Sequence, residues 1–276
     1  MNQAPLSCDT INNPSLWRLS LMICDTALEV VLRRIVGEPE LITTRITLNT
    51  SLSHATAIEE SIYANPLLLS QFGKTDVVIR SDKFQIVPTE VASDADAVEA
   101  ILDLLPHPDG RPIAFISNID KHNCVATFVD RSVANFIART FYSTKPISHL
   151  SALGRFFAHQ SRLSNRAKMY VNLQFNSIDI IAYNSLGLTI ANTLECDNDD
   201  NAVYYILAAG KASGFDFTVD EIFISGNSEW RASLMPTLRK FANYVLPTIF
   251  PSAAYSGDHH NALRAPFELI TLPLCE

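Results

Sequence analysis

Three strands in succession, then a helix, then a further strand: this order occurs once in each half of the chain. In the first half the strands are read at Leu19–Asp25, Leu28–Val36 and Leu41–Leu48, the helix from about His54 to Ala64, and the last strand at Asp76–Ser81. In the second half the strands are Met169–Phe175, Ile178–Asn184 and Leu188–Glu195, followed by the helix Asp199–Ser213 and the strand Glu221–Ser225. A duplicated β-β-β-α-β order predicts an α/β protein of two similar lobes, 1–162 and 163–276, facing each other across a cleft.

A chain of 276 residues is long enough for two lobes of ordinary size. Its 47% hydrophobic content against 18% charged residues places it with packed globular proteins rather than disordered ones. With 29 acids against 21 bases the net charge is −8, which opposes non-specific nucleic-acid binding, because that depends on basic side chains neutralising phosphates. Met1–Leu16 has neither the cationic start nor the apolar core of a signal peptide, and no run reaches the roughly 18–20 apolar residues of a membrane span. The expectation is a cytoplasmic protein with no membrane span and no nucleic-acid partner. Cys8, Cys24, Cys124, Cys196 and Cys275 are odd in number and never spaced C-x-x-C, so they read as free thiols rather than disulfides or zinc ligands. Asn49-Thr50-Ser51 matches a glycosylation sequon, which carries no weight without a secretory route.

Between the repeats, Phe84–Val87, Pro112–Ser117 and Cys124–Val129 read as strands, and Gly37-Glu38-Pro39 and Gly187 as hairpin turns. Ser93, with Asp96 three residues on, reads as the cap of a helix Asp94–Leu105 stopped by Pro106, and Pro108-Asp109-Gly110 as a turn. Asp130 is placed to cap a helix running to about Thr140. The junction 141–166 holds a short strand Ile147–Leu150 and a helix Leu153–Ser161, and Arg162, Arg166 and Lys168 give it a solvated basic character. Gly214 fits the residue after a helix, Pro236 the first turn of a last helix, and Ala265–Leu272 a closing edge strand between Pro266 and Pro273.

Clusters with chemical potential mostly have plain structural readings. Asp197-Asn198-Asp199-Asp200 suits the positive end of a helix dipole. A calcium loop would need glycine and glutamate where Ala202 and Ala208 stand. Asp258-His259-His260 reads as a surface loop, since neighbouring side chains of an extended chain point to opposite faces. Asp25, Glu59 or Glu60, and Asp82 map onto a two-metal nuclease constellation, but acids at strand ends and on helix surfaces are common and no basic groove accompanies them. No G-x-S-x-G elbow, Walker A loop or G-x-G-x-x-G occurs.

The stretches Phe84–Pro88, Tyr170–Phe175, Asp200–Tyr205 and Ile222–Gly226, set in this element order, resemble the actin-like ATPase superfamily, whose lobes are ribonuclease H-like. The particular resemblance is to a bacterial family of unknown function with that fold; the type IV pilus assembly ATPases are a more distant likeness. The resemblance implies nucleotide phosphates held by two hairpin turns carrying Asp-x-Gly, and adenosine held near a Gly-Gly step. Glycine admits backbone N–H groups to phosphate, and the aspartate organises magnesium. The first turn here is Cys24-Asp25-Thr26-Ala27, with the acid but no glycine. The second, Gln174-Phe175-Asn176, has neither, and Ser225-Gly226-Asn227 keeps one glycine of two.

The fold expected is therefore duplicated ribonuclease H-like lobes of the actin-like ATPase type with degenerate nucleotide motifs. The cleft candidates are Asp25, Thr26, Asn176, Ser177, Gly226 and Asn227, with no catalytic residue and no metal ligand assigned. No cofactor is expected, ATP and magnesium lacking intact motifs. The function expected is a non-hydrolysing binding, assembly or regulatory module with a protein partner or self-association. The alternative is a divergent nucleotide-binding enzyme, an ATPase or phosphotransferase, built on Asp25 and Gly226.

Overall fold

The computed structural model describes residues 6, 11–104, 110–142, 144–161, 166–250 and 259–275, with backbone alone for 259–261. In the first lobe β1 (Trp17–Ile23), β2 (Ala27–Arg34) and β3 (Leu41–Thr47) form an antiparallel meander. After helix α1 (His54–Tyr63), β4 (Lys74–Ile79) returns parallel to β1. In the second lobe β9 (Lys168–Leu173), β10 (Ser177–Asn184), β11 (Gly187–Glu195), α6 (Asp199–Ala212) and β12 (Glu221–Gly226) repeat the plan. A fifth strand extends each sheet, β8 (Ile147–Ser148) in the first and β13 (Tyr244–Pro247) in the second. The resulting orders, β3-β2-β1-β4-β8 and β11-β10-β9-β12-β13, are the same order used twice.

Alternating residues give each sheet two apolar faces. On the outer face of the first sheet, Leu19, Leu21, Ile23, Val30 and Val77 pack against α1 and α4 (Arg131–Thr140). On the outer face of the second, Met169, Val171, Ile180 and Ile222 pack against α6 and α7 (Ser228–Leu238). The inner faces look toward each other. Between them lie α5 (His149–Ser161) and the C-terminal helices α8 (His259–Arg264) and α9 (Phe267–Thr271). Leu269 and Ile270 join Met22, Val31, Leu41 and Val78 of the first sheet. Phe267 sits with Phe156, Phe157, Tyr170 and Ile181 beside the second. A third sheet, β5 (Phe84–Pro88), β7 (Asn123–Val129) and β6 (Ile113–Asn118), sits on the first lobe with its own small core against α2 (Thr89–Ala92) and α3 (Ala95–Asp103).

Local capping departs from expectation in several places. Ser93 is the C-cap of α2, its hydroxyl donating to the Thr89 carbonyl, and Asp94 caps α3 by accepting from Asp96 and Ala97 N–H. Pro88 pre-sets the chain for a one-turn helix at Thr89, which moves the next start one residue on. Asp130 stands at the N-cap of α4 without a side-chain cap bond. The helix of the junction begins at His149, so the short strand stops at Ser148. Pro236 lies inside α7, which starts earlier because Asn227 caps it through Trp230 N–H. Ala265–Leu272 is no strand: Pro266 opens α9, whose residues are all buried, and an apolar run without alternation fits a buried helix as well as a strand. His259 and His260 open α8 rather than lying in a loop. Pro106, Pro108, Asp109, Arg162, Asp258 and the 162/163 boundary lie outside the described residues.

The central layer is aromatic. Phe157 stacks on Tyr170 at 4.1 Å between ring centroids and on Phe267 at 5.6 Å, joining α5, the second sheet and α9. We expect Phe157→Ala to cost about 3–5 kcal/mol, since it empties a fully buried ring site with partners on three elements. Denaturant unfolding followed by circular dichroism measures it; a loss under 1 kcal/mol would mean that the layer is not a packed core.

Candidate functional site

The two β-hairpin turns that open the lobes converge on one cleft. Each closes alike: Cys24 N–H donates to Ala27 O at 2.9 Å, and Gln174 N–H to Ser177 O at 2.9 Å. Leu48 N–H reaches Thr26 O, as Cys196 N–H reaches Asn176 O. Residue by residue, Cys24, Asp25, Thr26 and Ala27 therefore correspond to Gln174, Phe175, Asn176 and Ser177. The cavity between the turns, about 230 Å³, is lined by Asp25, Thr26, Asn176 and Ser177, so four of the six expected residues meet there. Phe175, three-quarters exposed, occupies the place of Asp25 in the second turn, with the Arg45 guanidinium 5.8 Å from its ring centroid.

Gly226 and Asn227 have other tasks and do not line that cavity. Gly226 has φ +87°, and a Cβ built there would lie 2.0 Å from the Leu173 carbonyl oxygen of β9. This glycine is required by the close approach of two strands. The Asn227 side chain caps α7, and its N–H donates to Leu173 O at 2.9 Å. In the first lobe the same backbone bond runs from Arg80 N–H to Ile23 O, so Arg80 is the counterpart of Asn227.

Arg80 forms the floor of the cleft. Its guanidinium crosses to the second lobe and grips Asp179 of β10 in a two-point pair, Nη2–Oδ1 2.9 Å and Nη1–Oδ2 3.0 Å. It also donates to Ser177 Oγ at 2.9 Å and to Glu268 of α9 at 3.2 Å. Asp179 further accepts from Asn172 and Thr193, and His149 Nε2 lies 3.2 Å from it. Glu268 accepts from Asn172 and Gln174. Asp179, Glu268 and His149 are fully buried. Burial alone would raise the Asp179 carboxyl, but Arg80 and then His149 more than offset it and hold it well below the usual carboxylate range. Burial raises the Glu268 carboxyl, with Arg80 opposing. The pairing of Arg80 with both carboxylates outweighs its own desolvation and keeps it charged.

The duplicated sheets explain why this bond crosses lobes. Strand registers place Glu29 opposite Met22 and Arg45 in the first lobe, and Asp179 opposite Asn172 and Thr193 in the second. Glu29 is thus the counterpart of Asp179, and it pairs with Arg45 inside its own lobe. Thr193 stands where that arginine would be, so Asp179 takes its cation from Arg80.

A second cavity, about 320 Å³, holds Asp25, His54, Asp82 and Asp130. The nuclease constellation does not assemble there, because Glu59 pairs with Arg139 on the surface and Glu60 is exposed. Among the described residues no three acid, histidine or cysteine side chains are grouped to hold a metal. Arg80, Asp179, Glu268 and His149 escaped sequence reading, although Asp179 in Ile-Asp-Ile-Ile and Glu268 in Phe-Glu-Leu-Ile are acids inside apolar runs, a costly placement that signals a buried partner.

Two expectations follow from these positions. Gly226→Ala should cost more than about 2 kcal/mol through backbone clash and a strained φ, read as a fall in Tm; an unchanged Tm would contradict the strand contact. Burial pushes Glu29 from 4.5 up to about 6, with Arg45 opposing. A raised folded value adds stability below pH 4.5 that is lost as pH rises through about 6, worth up to about 2 kcal/mol. Glu29→Gln should therefore gain in Tm relative to the parent between pH 4.5 and pH 7.5. A constant difference over that window would refute the shift.

Comparison with known proteins places this geometry. The model of a family described as "Protein of unknown function (DUF3822)" matches residues 9–245, and the chain belongs to that family. Among curated proteins none matches the sequence significantly. A Bacteroides thetaiotaomicron crystal structure, "protein with actin-like ATPase fold and unknown function", is similar at TM-score 0.74 and 22% identity, over 85% of this chain and 91% of that one. A chain of a "PilM-PilN type IV pilus biogenesis complex" is similar at TM-score 0.52 and 12% identity, over 93% and 99%. The chain has the actin-like ATPase fold, as the resemblance implied. Among the described residues no helix is long and apolar enough to cross a membrane.

Proposed function

We propose that this DUF3822 chain is a non-hydrolysing binding module, an actin-like scaffold that engages another protein in an assembly or regulatory role in the cytoplasm. The observation that carries the reading is the Arg80–Asp179–Glu268 cluster across the cleft floor. Phosphoryl transfer depends on positioning a metal and a chain of phosphates. Here a guanidinium and two carboxylates close the floor between the turns. The second turn offers Phe175 at the counterpart of Asp25, and Ala27 and Ser177 carry Cβ atoms where close approach of backbone to phosphate calls for glycine. Asp25, Glu29, Asp82 and Glu195 also line the cleft against Arg45 and Arg80, a balance that repels a polyphosphate. The pilus relative, known from a complex, supports a partner-binding use by analogy of fold alone.

Pure protein should show no magnesium-dependent ATP turnover, and calorimetry with ATP and magnesium should register no binding. Affinity purification from the native host should retain a protein partner, or a second copy, through stringent washing. Turnover abolished by Asp25→Ala would overturn the reading in favour of a divergent nucleotide enzyme. So would recovery of a bound nucleotide with no partner.

A further inference from the structure

We propose that the C-terminal segment 259–275 is an autoinhibitory latch, seated between the lobes and holding the cleft shut through Glu268. The latch deepens the reading of a closed cleft given above and rests on it. Its seat is built from both lobes. Leu269 and Ile270 pack on the inner face of the first sheet, and Arg33 donates to the Ile270 carbonyl at 3.1 Å. Phe267 packs edge-on to Phe156 and stacks with Phe157 over the second sheet. Glu268 meets Arg80 from the first lobe and Asn172 and Gln174 from the second.

Three features make the segment a separable unit, although it contributes to the inner-face packing of both sheets. The outer-face core of each lobe is complete without it: one is assembled from residues up to Phe141, the other from residues Met169 to Val245. Helix α9 has five residues, too few to persist once undocked, so release dissolves it. Its polar hold is a buried ionic group satisfied only when its donors converge from both lobes, which makes the contact all-or-none. Undocking exposes Phe267, Leu269 and Ile270, so the released form is a minor state, the kind of sub-global opening that hydrogen exchange detects. In that state Arg80 keeps Asp179 alone, and the part of the first sheet's inner face that Leu269 and Ile270 cover becomes available to a partner, while α5 still covers the second sheet.

Native-state hydrogen exchange on the full chain at low denaturant tests this. Amides of α9 should exchange at least ten-fold faster than those of β1 and β9, with a smaller denaturant slope. Glu268→Gln should accelerate α9 at least a further ten-fold and leave β1 and β9 unchanged. Because a polar change at a buried site can cost folding, Ile270→Val serves as the second variant and should act with the same selectivity. Spin labels at Glu60→Cys and Lys211→Cys, on the exposed sides of α1 and α6, should gain a longer-distance population in either latch variant. Exchange of α9 together with β1 and β9 as one unit, or a distance distribution that the variants do not move, would overturn the latch. Nucleotide turnover would defeat the binding-module reading while leaving the exchange pattern intact, so the two failures are distinguishable.

Discussion

A carboxylate in the middle of an apolar sheet is the constraint on which this structure turns. Asp179 stands on β10 between Ile178 and Ile180, fully buried, and an isolated buried charge is among the costliest features a fold can hold. Its own lobe supplies hydrogen bonds from Asn172 and Thr193, and the counter-charge comes from Arg80 at the end of β4. That pair ties the two lobes together at one point on the floor of the cleft. It also seats His149, whose ring lies between the Ile79 carbonyl and Asp179 and so registers the start of α5 against both sheets. Removing one partner of such a cluster leaves the others buried and unpaired, which costs more than the assembled pair contributes.

The turns above this floor share one backbone form while presenting different side chains. Both turns close with the same hydrogen bonds and face each other across the same cavity. Asp25 stands in one where Phe175 stands in the other, and Ala27 where Ser177 does. Gly226 lies outside this cavity, against the Leu173 backbone. The hairpins converge directly above the internal ion cluster, with Ser177 of the second turn accepting from Arg80.

The duplicated order was legible because both halves alternate clearly and are bounded by turn residues. The strands around Leu19–Asp25 and Met169–Phe175 lie within two residues of β1 and β9. The convergence of Asp25, Thr26, Asn176 and Ser177 followed from that order and from the resemblance. What could not be read was any contact that joins distant segments. Nothing local to Arg80 indicates that its partners lie about a hundred and nearly two hundred positions away. The last helix was misread for a related reason: Phe267–Leu272 is buried on every side, so its apolar run shows no period to separate helix from strand. Pro236 misled because a strong cap at Asn227 sets the helix start before the proline is reached.

Thr193 faces Asp179 where Arg45 faces Glu29, and this difference sets what each half would be without the other. A first half on its own would keep the Glu29–Arg45 pair but leave the Arg80 guanidinium without Asp179 and Glu268. Its twin, with Asp179 facing Thr193, would expose a carboxylate core lacking any cation of its own. The two halves are mutually dependent rather than interchangeable, and cutting the chain between them would leave a buried charge unpaired in each.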